Sequence, residues 1–452
     1  MDAVREHLVN KRIAVLGAAR SGMAAALLAM RHGALVWISE KAPVEEKREE
    51  AGILQGLGIP AEFGGHTDTV FAADTWIVSP GIPETDPLIL KAREKGIAVF
   101  GELEVSSWFC SSPIIAVTGS NGKSTTTAWI GEMVRAEGRP VVVAGNIGTP
   151  FSKEVENTVP EGLAVLEVSN FQLETVRYFK PKAALFLNLT PDHLNRHGTL
   201  AVYGRTKARI FENQDEDDVH VVNGLDGAVL ELSRDVRSRR VLFNRESGED
   251  CGFVRAGEIV FRIGGAEETL LPVRELGIPG GHNVQNALAA GLAARFCGIS
   301  AESVRRAMAG FRGLSHRLET VRTLDGVLYV NDSKATNVDS VCYALGSYES
   351  PVILIAGGRD KDSDFSVLLP LIRRKAKAVV LIGEAADKIE KAFSGACRLF
   401  RAGSLEEAVV QSRNLAAPGD VVLLSPACAS FDMFSNFEDR GNRFRSFVEG
   451  LA

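Results

Sequence analysis

The segment Thr118-Gly119-Ser120-Asn121-Gly122-Lys123-Ser124-Thr125 carries the residue types that phosphate chemistry needs, in a workable order. It follows the apolar run Ile114-Ile115-Ala116-Val117 and precedes a helical pattern that runs to about residue 136. At such a strand–helix junction, successive backbone N–H groups and the positive helix end cradle phosphate oxygens. Lys123 would neutralise the terminal phosphates, and the Ser124 hydroxyl would ligate Mg2+. The loop is shorter than the common form, because Val117 stands where the first glycine of the longer spacing would fall.

Further groups follow apolar runs that read as strands. Glu167 ends the run 163–168, and Thr190-Pro191-Asp192-His193 follows the run 183–189. Ligands of open α/β sheets sit beyond the carboxyl ends of strands, so Glu167 and His193 are placed to meet a metal or a phosphate. Gly17-Ala18-Ala19-Arg20-Ser21-Gly22 is a second strand–helix junction without the middle glycine of the dinucleotide fingerprint, and Glu40 ends the following strand. A nucleotide site there and plain close packing of a helix on a sheet are about equally good explanations. Lys207, judged on its surroundings in sequence, reads as an exposed helical lysine. Asn331 to Asn337 and Ser425 to Ser430 follow strands and are rich in hydrogen-bonding groups, which suits a small polar ligand.

These residues must be positioned by alternating strands and helices. Strands are expected at 12–16, 34–38, 75–78, 114–117, 141–144, 163–168, 183–189, 327–330, 352–356, 378–382 and 421–424. Helices are expected at 22–32, 123–136 and 282–296, and a small antiparallel excursion at about 240–275. This βαβ alternation predicts parallel sheets covered by helices. The length of 452 residues fits three α/β domains: 1–103, 104–312 and 313–452, with hinges near 103 and 313.

With 45% hydrophobic and 24% charged residues and a net charge of −6, the chain has the composition of a soluble globular protein. That balance disfavours sequence-general nucleic-acid binding. The six cysteines form no C-x-x-C pair and read as free thiols in a reducing compartment. The longest apolar run, 22–30, is about half of the ~20 residues that span a bilayer. The expectation is a cytoplasmic protein without a membrane anchor.

In order, GSNGKST, LEVSNFQLE, LTPDHL, GGHNVQNALAA, SHR, NDSKATN and SPACASFDMFSNFEDRG resemble the Mur ligase family, the ATP-dependent amide-forming enzymes of peptidoglycan precursor synthesis. The resemblance covers essentially the whole chain and is nearest to the members that add D-glutamate to UDP-N-acetylmuramoyl-L-alanine. It implies a Rossmann-like N-terminal domain, a central P-loop-type ATPase domain with a mainly parallel sheet, and a Rossmann-like C-terminal domain. It implies ATP held by Gly119, Ser120, Asn121, Gly122, Lys123, Ser124 and Thr125, with Asn283, Asn286, Arg317 and Asp332 also meeting the nucleotide. Lys123, Glu167, His193 and Lys207 become the catalytic set. Two Mg2+ ions fall to Ser124, Glu167, His193 and a CO2-derived carbamate on Lys207, which reverses the reading of Lys207 as a surface residue.

The UDP substrate would meet Arg20, Ser21, Glu40, Ser79, Asn146 and Gln172, and D-glutamate would meet Thr336, Lys361, Ser430 and Phe437. The implied enzyme is a cytoplasmic monomer. Three other readings are weaker. A folylpolyglutamate-type ligase needs no separate N-terminal nucleotide domain, a nicotinamide oxidoreductase leaves Gly119 to Ser124 unexplained, and a non-enzymatic switch would bind ATP without consuming it.

Overall fold

The structure, a computed structural model, describes residues 7–146, 148–192, 194–360 and 363–451. His193 and Lys361 therefore lie outside the described residues. The chain divides into two compact units, 1–311 and 312–452.

The first unit holds two sheets. β1 (Arg12–Leu16), β2 (Leu35–Glu40), β3 (Ala61–Phe63), β4 (Thr75–Val78) and β5 (Ala98–Gly101) form an all-parallel sheet in the order β3-β2-β1-β4-β5. Helix α1 (Arg20–Arg31) starts from the glycine loop after β1 and buries its alanine-rich face. A Cβ on Gly22 would collide with the Gly17 carbonyl, so this junction needs glycine for close approach.

The second sheet comprises β6 (Ile114–Thr118), β7 (Val141–Gly145), β8 (Leu163–Glu167), β9 (Ala183–Phe186), β10 (Val219–Asn223), β11 (Arg239–Phe243), β12 (Cys251–Arg255), β13 (Glu258–Ile263) and β14 (Ala266–Pro272). Their order is β14-β13-β12-β11-β10-β9-β6-β8-β7. It is parallel from β7 to β12, and β12–β14 pair antiparallel. The excursion expected at 240–275 is thus an extension of the central sheet, and its first strand, β11, is parallel to both neighbours. Helices α2 (Lys123–Ala136), α3 (Leu200–Ala208) and α4 (Gly281–Phe296) frame this sheet. Leu8, Ile13, Ile38 and Phe100 share one buried apolar cluster with Phe151, Leu166 and Phe186, so the first two sheets are joined by a common core. The helix Glu102–Ser107 runs across residue 103.

The second unit has six strands: β15 (Glu319–Leu324), β16 (Val327–Asn331), β17 (Val352–Gly357), β18 (Ala376–Ile382), β19 (Arg398–Arg401) and β20 (Val421–Leu424). Their order is β15-β16-β20-β17-β18-β19, parallel except for the β15–β16 edge. Its terminal helix is α5 (Phe437–Glu449). Apolar layers lie on both faces of the sheet, one around Leu354, Leu381 and Leu423 and the other around Ile355, Val380 and Phe444.

All six cysteines are free, and three of them are buried. No helix among the described residues is long and apolar enough to cross a membrane.

Candidate active site

The phosphate loop lies between a fully buried strand and α2. Gly119 and Gly122 have φ of +153° and +82°, a region closed to most side chains. A Cβ on Gly122 would also strike Asn286 Oδ1, which brings α4 against the loop. The loop is tied to the segment after β9: Ser120 N donates to Asn188 O (3.0 Å), Asn121 N to Asn188 Oδ1 (2.8 Å), and Ser120 Oγ to Thr190 O (2.9 Å). β9 ends at Phe186, short of the expected 189, and the clamp begins at Asn188. Lys123 Nζ donates to Gly119 O (2.8 Å) and Ser120 O (2.9 Å), and Ser124 is buried at the first turn of α2. Thr125 follows it in the same turn.

Lys207 corrects the reading from local sequence. It is 0% exposed, donates to Gly119 O at 2.9 Å, and its Nζ lies 4.6 Å from the centre of the Tyr203 ring one turn earlier on α3. Burial, and then the nearby Lys123 charge, push its amine well below the ordinary lysine value. Glu167, 2% exposed at the end of β8, accepts from Asn146 Nδ2 through Oε1 (2.8 Å), while Oε2 is buried with no hydrogen-bond partner among the described residues.

A buried, half-satisfied carboxylate beside a phosphate loop and a buried serine hydroxyl is an oxygen donor set suited to Mg2+. A neutral buried amine is the form that adds to CO2, so the residues present also fit a carbamate. The structure thus gathers Gly119 to Thr125, Asn286, Asn146, Glu167 and Lys207. Asn283, in the first turn of α4, caps back onto Pro279 O at 2.7 Å.

On the first sheet, Ser79 Oγ is buried against Gly17 with no hydrogen-bond partner among the described residues, and α1 begins at Arg20 with no side-chain cap from Ala19. A helix start without a side-chain cap and a buried hydroxyl at one junction suit an anion. Ser21 sits in that first turn, and Arg20 reaches Gly148 O at 3.4 Å. Glu40 is used internally, its oxygens accepting from Ala18 N (2.6 Å) and Ala42 N (2.8 Å). Gln172 likewise closes a capping box, accepting from Ser169 N at 3.0 Å.

In the second unit, Asp332 accepts from Ser425 Oγ (2.8 Å) and Leu318 N (3.2 Å), and burial raises its carboxyl to about 7. Arg317 has its Nε buried without a hydrogen-bond partner among the described residues, between His316 and Leu318 at φ +63° and +42°. Strained backbone of this kind persists where a function or tight packing holds it. Thr336, Ser430 and Phe437 lie on three segments that meet around one side chain. Arg440 is 1% exposed and donates to Ser333 Oγ (2.9 Å), Ser333 O (2.8 Å) and Cys428 O (3.2 Å), while Ser333 Oγ donates to Phe437 O (2.8 Å).

Arg440 gave no signal in sequence, since an arginine in a charged helical run reads as solvated. Tyr203 and the Asn188–Thr190 clamp were missed too, although Tyr203 stands at the i, i+4 spacing that places it beside Lys207.

Comparison with known proteins follows the same lines. The pattern of the Mur ligase middle domain matches residues 117–294, and that of the Mur ligase glutamate ligase domain matches 316–428. A Salinibacter ruber protein named UDP-N-acetylmuramoylalanine--D-glutamate ligase is 45% identical over 454 residues, covering 97% of this chain and 98% of its own. A Pelotomaculum thermopropionicum protein of the same name is 44% identical over 446 residues, covering 98% of each. In fold, the UDP-N-acetylmuramate-alanine ligase of Thermotoga maritima matches at a TM-score of 0.59 and 22% identity, covering 97% of this chain and 99% of that one. By its sequence over nearly its full length, this chain belongs to the Mur ligase family.

Proposed function

We propose that this chain joins D-glutamate to UDP-N-acetylmuramoyl-L-alanine in an amide bond, with ATP converted to ADP and phosphate. The observation that carries the reading is the 45% identity to the Salinibacter ruber ligase over nearly the whole of both chains. The buried Lys207 and the half-satisfied Glu167 beside the phosphate loop add physical support.

A carboxylate is a poor acyl donor, so the substrate carboxylate first attacks the γ-phosphorus of ATP and ADP leaves. Both reactants are anionic, and Lys123 lowers that repulsion and stabilises charge spreading over the transferring group. Mg2+ held by Ser124, Glu167, His193 and a carbamate on Lys207 would supply further charge neutralisation. The acyl phosphate then meets the neutral amine of D-glutamate, and phosphate departs as the amide forms. Thr336, Lys361, Ser430 and Phe437 receive the amino acid, while Asn283, Asn286, Arg317 and Asp332 attend the nucleotide. Arg20, Ser21, Ser79, Asn146 and Gln172 serve the UDP substrate, with Glu40 shaping its loop. The enzyme acts as a monomer in the cytoplasm.

Phosphate release from ATP tests this directly, with UDP-N-acetylmuramoyl-L-alanine present and D-glutamate, L-glutamate, glycine or a diamino acid added. Release is expected only with D-glutamate. Release with another amino acid would keep the family and overturn the specificity, and release with none would refute the reading.

A further inference from the structure

Ser39, Glu62 and His66 form a hydrogen-bonded chain at the carboxyl edge of the first sheet. Ser39 is 0% exposed near the end of β2, Glu62 lies within β3, and His66 is half-buried just beyond β3. The Ser39 hydroxyl lies 2.6 Å from Glu62 Oε1 and 2.6 Å from His66 Nδ1. Glu62 also accepts from Thr67 N (3.0 Å) and Thr67 Oγ1 (2.7 Å). Burial opposes ionisation, but the donors Ser39 and Thr67 outweigh it and hold the Glu62 carboxyl below its ordinary value.

A serine has one hydroxyl proton. An ionised carboxylate only accepts, so that proton goes to Glu62, and His66 must donate its own Nδ1 proton to Ser39 Oγ. Burial also lowers the His66 pKa, even with the Glu62 and Glu40 charges acting against it, so the ring is neutral at pH 7. A neutral ring protonated at Nδ1 presents Nε2 as a lone-pair acceptor. Among the described residues the only hydrogen bond of the His66 ring is the one at Nδ1, which leaves the half-buried Nε2 open to a ligand.

The place of this acceptor matters. Gly64 N and Gly65 N donate to Ala42 O (2.9 Å) and Glu40 O (3.3 Å), which holds the loop carrying His66 against the end of β2. The glycine loop after β1 and the Ser79 hydroxyl, which has no hydrogen-bond partner among the described residues, suit a diphosphate. A nucleoside attached to it would extend across the carboxyl ends of β2 and β3. The two Glu40 oxygens already accept from backbone N–H groups, whereas His66 Nε2 is a fixed acceptor awaiting a donor. Uracil offers N3–H where cytosine offers a bare ring nitrogen.

We propose that His66 Nε2 accepts the uracil N3–H, and that Ser39 and Glu62 make the site selective for uridine over cytidine nucleotides by fixing the histidine tautomer. The inference rests on the reading of the first sheet as the UDP-substrate site.

The test measures UDP and CDP as competitive inhibitors against UDP-N-acetylmuramoyl-L-alanine in the full enzyme. The wild type, His66→Leu, His66→Gln and Ser39→Ala would be compared, with the KM for ATP as the check on folding. A site built around a donor rejects the analogue lacking it, so wild type should prefer UDP by ~10-fold or more. His66→Leu should abolish that preference by weakening UDP alone. Ser39→Ala, which frees the Nε2–H tautomer, should reduce it in part, and the KM for ATP should stay within about 2-fold. Equal weakening of UDP and CDP would overturn the inference in favour of a ribose contact or plain packing. A preference that survives in both His66 variants would overturn it while leaving the function intact. Inhibition of the wild type by neither nucleotide would remove the UDP site and the inference with it.

Discussion

At the scale of single residues, two buried bases have opposite uses. Lys207 has an amine whose burial, reinforced by Lys123, favours the neutral form. Carbon–nitrogen bond formation with CO2 releases a proton and needs that neutral amine, so the adduct should persist to lower pH than on a surface lysine. With 13C-bicarbonate, a carbamate resonance is expected in the wild type and absent in Lys207→Arg. The same variant should lose about 100-fold or more in kcat if the carbamate supports charge stabilisation, and a wild type with no resonance would refute the modification. His220 is instead a base the fold keeps uncharged. Burial, aided by the Arg240 charge, lowers it to about 4, and its Nδ1 lies 2.9 Å from Ser238 Oγ. A base with a lowered folded pKa is protonated more readily when unfolded. Its effect on stability is therefore unchanging at pH above 6.5 and turns unfavourable as pH falls from 6.5 towards 4. The full shift corresponds to roughly 3 kcal/mol. Urea midpoints measured from pH 7.5 to pH 4 should fall less steeply in His220→Gln than in the wild type, and an unchanged slope would exclude His220 as a cause.

At the scale of elements, the phosphate loop depends on two constraints that coincide at Gly122: a left-handed φ of +82° and the contact with Asn286 on α4. Gly122→Ala meets both. The conformation alone costs about 1–2 kcal/mol, and the collision must displace α4 or the loop. The expected result is at least a ~10-fold fall in kcat/KM for ATP, equivalent to 1.4 kcal/mol, with far-UV circular dichroism unchanged; unaltered ATP kinetics would show that the loop tolerates the shift. This junction was legible in sequence because a strand buried on both faces reads as a continuous apolar run, and its glycines and lysine follow at once. The same reasoning found β8, β16, β17 and β20. It missed β15, Glu319–Leu324, whose half-exposed polar residues suit an edge strand, and β3, which has only three residues, as well as β5, β10 and β19. Lys207 and Arg440 were illegible for another reason. Each is held by a segment far away in sequence, Gly119 for one and Ser333 for the other. No local pattern encodes a cation whose partners are distant carbonyls.

At the scale of the whole molecule, the distribution of core decides which parts can fold alone. Residues 312–452 enclose their own apolar layers on both faces of a six-stranded sheet, and Arg440 and Asn331 bind its segments together from inside. Residues 1–103 have no such independence. One face of their sheet is covered by a cluster that includes Phe151, Leu166, Phe179 and Phe186 of the central part. Cutting there would expose that layer to water at about 25 cal/mol for each Å2 uncovered. The first sheet has a private core only on its other face, around Trp76 and Ile89. Since net stabilities of domains are only about 5–15 kcal/mol, loss of one whole apolar face is enough to unfold a small sheet. The fragment 312–452 is therefore expected to unfold cooperatively in urea with native-like near-ultraviolet circular dichroism. The fragment 1–103 should bind a hydrophobic dye and show no cooperative transition, while 1–311 regains one. A cooperative 1–103 fragment would mean that the shared cluster contributes little, and the first sheet could then move as an independent body.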